Sequence, residues 1–404
     1  MKIRIDRGIV VIIYVLSYLL AVAKLRYVLS LQVNWQRLYI ICTLFITLLS
    51  LFLLFTETGF RKISKLTAVL LMFALYEVLV SFVNKMVFIQ EIIIDVLPWP
   101  ILFAAFYEYC SKKSLPRVFH KITKIGFAIC FVLSVPNVQE HLIDWGRHGA
   151  TIFPVYFLIG YLALIMLNGR KQQIYVCMAL VLALLTVSMK RAGILAILGG
   201  GIAFFISDAH LKSSLKEKLK KYSFYAVVSI IVIIIGIYFI NKYNISILER
   251  FRNLSDDQGS GRIGIWKNVW NNFQSSSTLK KIFGHGFHAV YYKVHPIDQD
   301  YYSFAHNSYL ETLYDYGLIG LLFLIFILCN IITKGIRMMR RKDAYATIWA
   351  YTIPPMLFLT LLSYFFEQTL IIVPFIIVWG ILFGSMRREV LGTKQVSMDI
   401  GNKI

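Results

Sequence analysis

Long apolar runs recur along the whole chain, separated by short charged stretches, and this pattern leaves few folds open. Of the 404 residues, 58% are hydrophobic and 16% are charged. Soluble domains average roughly 45–50% apolar and about 25% charged. The excess here is more than one or two soluble cores of this length can bury. An ordinary soluble enzyme, a disordered chain and a fibrous repeat are thereby excluded. The expected fold is an all-α polytopic membrane protein with about twelve transmembrane helices.

The twelve expected spans are Gly8–Ala23, Leu38–Phe55, Leu66–Val83, Ile92–Cys110, Ile122–Val135, Thr151–Leu167, Ile174–Val187, Gly193–Ser207, Phe224–Ile240, Ser308–Thr333, Thr347–Phe366 and Leu370–Met386. The fifth, seventh and eighth are short against the roughly 20 residues a span needs. Ala21-Val22-Ala23 has the small-residue pattern of a signal-peptidase site, but Lys24 and Arg26 follow at once, and a retained first span is expected. The net charge of +21 is explained by topology rather than by nucleic acid. With both termini inside, inner segments hold 27 of the 42 Lys and Arg; one long outer loop holds 8 and the other outer segments 7. The five cysteines show no CxxC spacing, so neither disulfides nor a zinc site is expected.

Residues 241–307 form that long extracytoplasmic loop, between spans nine and ten, within a single integral membrane domain covering 1–404. The loop holds four of the eight histidines and is rich in aromatic residues, unlike a flexible linker. Within it, Ile263–Phe273 fits a short interfacial helix with Ile265, Trp266, Val269 and Trp270 on one face. Lys190 and Arg191 break the inside preference for cations, which points to function or to snorkelling at the outer headgroups. Ser308 to Glu311 fits a capping box at the start of span ten, and Asp315 one turn later can compensate the helix dipole. Gly317 and Gly320 are expected to permit close helix packing.

Other polar residues are weaker candidates. Glu77 lies inside span three, with Lys85 two turns away as a partner. Glu108 is expected to be solvated near an inner end, and Glu367 to face the outer side between the last spans, where it could line the site. His141, Asp144, Arg147 and His148 form a second polar cluster, Asp256-Asp257 is the only adjacent acidic pair, and Asn244 and Asn253 head glycosylation sequons.

Lys190-Arg191 after span seven, Gly261-Arg262 followed by Trp266 and Gly284-x-Gly286, and His306-Asn307-x-x-Leu310 leading to Tyr316-Gly317-Leu-Ile-Gly320 occur in that order. In these pieces, which cover Ser188–Leu321, the sequence resembles the O-antigen polymerase/ligase family. It departs in having Lys190 where the family commonly has Ser before the arginine. The resemblance implies a metal-independent membrane glycosyltransferase of the GT-C type with no cofactor, acting on the outer face of a bacterial cytoplasmic membrane. The donor it implies is an undecaprenyl-diphosphate-linked oligosaccharide, and chain-length regulators and flippases are expected partners.

The residues suit that chemistry. Charge builds on the leaving diphosphate, and arginine binds phosphate oxygens as a bidentate fork. Arg191 and Arg262 are the candidates, with Lys190 auxiliary. An attacking hydroxyl needs a base or acceptor, a role assigned to His306. Asn307, Trp266, Glu311 and His288 are carried as substrate-binding residues, and Trp270, Tyr291 and Tyr292 could stack on sugars or anchor at the interface. Polymerase is favoured over ligase. A lipid-linked oligosaccharide flippase is the main rival, but no internal repeat is visible. A non-catalytic assembly protein is the third reading.

Overall fold

A computed structural model of the chain describes residues 5–25, 35–59, 63–86, 89–143, 154–167, 169–188, 190–212, 223, 261–294 and 304–401. Among these residues there are helices and turns but no strand. The apolar runs become α1 (Ile5–Lys24), α2 (Trp35–Thr58), α3 (Lys65–Val83), α4 (Pro98–Cys110), α5 (Val118–Ile143), α6 (Phe157–Met166), α7 (Lys171–Val187) and α8 (Arg191–Lys212). The loop contributes α9 (Arg262–Ser275), α10 (Thr278–Phe283) and α11 (Ala289–Lys293). Three long elements close the chain: α12 (Ser308–Arg340), α13 (Ala346–Leu362) and α14 (Thr369–Gly401). A π-helical turn, Ile92–Val96, leads into α4.

The protein is a multi-pass, all-α membrane protein. Eight helices are long and apolar enough to cross a membrane, and α6, α7 and α13 are shorter apolar helices. Eleven of the twelve expected spans thus coincide with helices; the ninth, Phe224–Ile240, lies outside the described residues. The helix at Thr151–Leu167 is only ten residues long, and every one of them is buried.

Burial separates an inner helix from a shell. The apolar window of α14 is 94% buried, that of Ile92–Cys110 is 83% buried, and no other candidate span exceeds 61%. Small residues make this close approach possible. Gly380 and Gly384, four apart on α14, face α4: a Cβ on Gly380 would stand 2.6 Å from the Phe106 side chain, and one on Gly384 2.6 Å from the Tyr107 carbonyl. On α8, Gly200 meets the Tyr351 carbonyl and Pro355 of α13 in the same way.

Polar groups pin one end of the core. Glu108 is fully buried, which corrects the expectation that it is solvated. Burial is tolerated because its carboxylate accepts from Arg387 at 3.1 and 3.3 Å, from the Thr67 hydroxyl at 2.8 Å and from the Ser64 amide at 3.1 Å. The cluster joins α3, α4 and α14. Glu77 is buried as expected for a span residue, but Lys85 is exposed with φ +56° and makes no ion pair with it. The side chains of His141 and His148, together with Asp144, Arg147, Asn244, Asn253 and Asp256-Asp257, lie outside the described residues.

Two expected outcomes test this packing. Glu108→Ala leaves Arg387 without its buried partner and should destabilise the protein by about 3–5 kcal/mol, read as a lowered unfolding midpoint in detergent. Gly384→Leu should overpack the α4–α14 contact by about 1–3 kcal/mol or more in the same assay.

Candidate active site

Three segments distant in sequence meet around His306. The first is the turn between α7 and α8. Ser188 closes α7 with its hydroxyl on the Leu185 carbonyl at 2.8 Å, and the Lys190 carbonyl accepts the first helical bond of α8 from Ile194 at 3.0 Å. Arg191 is therefore the first residue of α8. Two cations at a helix N-terminus oppose its dipole, an arrangement that favours an anion as a third party. Gly193 keeps this turn close to the chain before α6: a Cβ there would stand 2.6 Å from the Tyr156 ring.

The second segment is the start of α9. Gly261 precedes it with φ +76°, and Arg262 takes the first helical position. The Arg262 guanidinium donates to the Leu362 carbonyl at the end of α13. One turn on, Trp266 donates from Nε1 to the Ala305 carbonyl at 2.7 Å. Val269 and Phe273 are buried, with Ile265 and Trp266 packed against the same cluster. Trp270 is 45% exposed, so it does not share the buried face it was expected to join. The helical geometry places 265, 266, 269 and 273 on one stripe and 270 beside it.

The third segment, Phe304–Glu311, carries His306 in a left-handed backbone conformation, φ +51°. Burial, together with the charges of Arg262 and then Lys190, pushes the imidazole down to about 4. Of the expected catalytic set His306, Arg191 and Arg262, the field of Arg262 reaches His306, as does that of Lys190, which was expected only as an auxiliary. Arg191 adjoins Lys190 in the chain.

The helix cap differs from expectation. Asn307, not Ser308, is the N-cap of α12, its side-chain oxygen accepting from the Tyr309 and Leu310 amides at 3.0 and 3.2 Å. The Ser308 hydroxyl instead accepts from the Phe365 and Phe366 amides, at 3.1 and 3.4 Å. Glu311 is fully buried and accepts from the Ala305 amide. The glycines differ too. Gly317 is a kink with φ +67° and ψ −169°, in backbone contact with Ile282 and Gly284, and Gly320 meets Tyr316 and Thr312 of its own helix.

His288 belongs to an adjoining group. It is buried with φ +55°, its Nδ1 lies 3.3 Å from a Glu91 oxygen, and its ring stacks on Phe287 at 3.7 Å. Phe304 meets it edge-on at 5.0 Å. Burial lowers its pKa, opposed by the Glu91 carboxylate. Three carboxyls that sequence reasoning treated separately also converge. Glu311, Asp315 and Glu367 bring oxygens within 4.8 Å of one another. Burial, with Glu311 and Asp315 beside it, holds Glu367 well above the usual carboxylate range. The i, i+4 spacing of Glu311 and Asp315 was a visible signal, and the outward position of Glu367 between the last two spans was a weaker one.

Residues 176–325 match the family model described as O-antigen ligase. The match takes in all eight predicted site residues, from Lys190 to Glu311, and leaves Glu367 outside. It includes the whole of the stretch on which the sequence resemblance rests. No curated protein matches the chain.

The histidine environments give a prediction with a definite sign. His306 and His285 are both held at about 4 against an ordinary 6.5, His285 by burial and by Lys293 and Lys280. The unfolded chain takes up protons below about pH 6.5 that the folded chain refuses until about pH 4. Stability should therefore be full above pH 6.5 and fall as pH drops through that window. Thermal unfolding across pH should show it. NMR of ring-labelled protein should find that Arg262→Ala raises the His306 pKa.

Proposed function

We propose that this protein is a membrane glycosyltransferase of the GT-C type that polymerises undecaprenyl-diphosphate-linked repeat units into a surface polysaccharide. It would act on the outer face of the cytoplasmic membrane, with both termini inside. The supporting observation is that Lys190 and Arg262, from two other segments of the matched region, both act on the half-buried imidazole of His306. O-antigen ligase or polymerase-like activity is what the family match supports by itself.

In this reading the donor diphosphate lies against Arg191, Arg262 and Lys190. The acceptor hydroxyl attacks the anomeric carbon while the bond from that carbon to the diphosphate oxygen breaks. The electron pair leaves with the undecaprenyl diphosphate, where the guanidinium groups meet the growing charge. The hydroxyl proton passes to His306. An imidazole held at about 4 is neutral and able to accept, but a weak base. A bound diphosphate offsets the field of Arg262 and Lys190, so donor binding itself strengthens the base. Trp266 and Asn307 position His306 rather than contact the reacting atoms, since the Trp266 indole holds Ala305 and Asn307 caps α12. A flippase that delivers the donor and a chain-length regulator are the partners this activity needs.

A ligase that moves the finished glycan to a lipid acceptor is the second reading, favoured by the description of the matching family. Deletion separates the two. Loss of a polymerase leaves single repeat units on the final acceptor, whereas loss of a ligase strands long chains on the carrier lipid.

Purified protein given a defined lipid-linked repeat unit should form polymer. Arg262→Ala and Arg191→Ala should each lower turnover by about 10²–10³-fold while the protein still inserts. His306→Ala should lose turnover yet retain donor binding. Normal chain lengths in all three would end this assignment.

A further inference from the structure

We propose that Glu311, Asp315 and Glu367 bind a hard divalent cation of the Ca²⁺ and Mg²⁺ class, a site additional to the transferase chemistry. Glu311 and Asp315 are one turn apart on α12, and Glu367 comes from the turn that joins α13 to α14. One oxygen from each lies within 4.8 Å of the other two, and all three side chains are buried. Among the described residues no lysine or arginine forms an ion pair with any of them. Carboxyls so close and so buried must be neutralised, by protons or by a bound cation.

The oxygens are already oriented. Glu311 is anchored through one oxygen by the Ala305 amide, and Asp315 Oδ1 accepts from the Val290 amide at 2.9 Å. That leaves Glu311 Oε2 and both Glu367 oxygens buried without a hydrogen-bond partner. A separate observation points at the same place. The Tyr364 hydroxyl is buried, has no hydrogen-bond partner, and has Glu367, Glu311, Asp315 and Asp95 as its electrostatic surroundings. A ligand that satisfies four oxygens at once, with no sulfur or nitrogen donor among them, is a hard cation. A bound cation would tie the first turns of α12 to the α13–α14 turn, next to His306 but independent of the diphosphate site.

The test uses full-length protein in nanodiscs, stripped with chelator, with Ca²⁺ and Mg²⁺ titrated separately against a K⁺ control. Ca²⁺ or Mg²⁺ should raise the unfolding midpoint saturably, while K⁺ should not. Tb³⁺ luminescence excited through tyrosine should appear and be displaced by Ca²⁺. Tyr364→Phe keeps the fold and should raise the half-saturating Ca²⁺ concentration roughly tenfold; Glu367→Gln should abolish the response. The proposal is overturned if stripped protein shows no saturable cation response. A wild-type response in Glu367→Gln overturns it too. So does a Glu367→Gln midpoint at or above that of stripped wild-type protein with no response in either, which would mean that protons supply the counter-charge. None of these readouts depends on turnover, so failure here leaves the glycosyltransferase reading standing.

Discussion

The N-terminus of α12 is held by hydrogen bonds from parts of the chain far apart in sequence, and the position of His306 depends on them. Trp266 reaches Ala305 from α9, and the Phe365 and Phe366 amides reach Ser308 from the α13–α14 turn. From α3, the Tyr76 hydroxyl donates to the Tyr316 carbonyl at 2.8 Å. Asp315 receives the Val290 amide, and the Gly286 amide donates to the Asp315 carbonyl at 2.8 Å. Each bond contributes only about 0.5–1.5 kcal/mol. Together they fix a left-handed histidine that no helix or sheet ladder would hold.

Gly284 and Gly317 make this arrangement possible. Both have positive φ, and a Cβ on either would collide with the backbone of the other's segment. The loop thus lies directly on the kink in α12, and the two backbones exchange hydrogen bonds where side chains would otherwise keep them apart. A kinked span also turns its first two turns away from the line of the remaining helix. Glu311 and Asp315 consequently belong to the site and not to a lipid-facing surface, which is why both can be buried.

Much of this was legible in the sequence, and the remainder was not for identifiable reasons. Apolar runs mark spans because a lipid environment leaves backbone groups no partner but the helix itself. The interfacial helix at 262–275 was legible from its stripe of apolar residues, although Trp270 missed that stripe by one position. The kink was not: Gly317 interrupts an apolar run whose composition is helical on both sides. The same limit applies to Glu108, whose position near a span end suggests solvent. Its partners Arg387, Thr67 and Ser64 come from two other helices. Asn307 and Ser308 are both good caps, and only the demand of the Phe365 and Phe366 amides for the serine hydroxyl decides between them.

The electrostatics around the 304–311 segment are divided in a way that bears on mechanism. Lys190 and Arg262 lower the basicity of His306, while three carboxyls gather a short distance along the same chain without an ion pair among the described residues. Backbone amides hold Asp315 and Glu311, and the Leu362 carbonyl accepts from the Arg262 guanidinium. That carbonyl orients the guanidinium at the start of α9. In the proposed reaction, an imidazole weakened by the charges of Lys190 and Arg262 would recover basicity when the donor diphosphate binds, which would tie proton transfer to the presence of the donor.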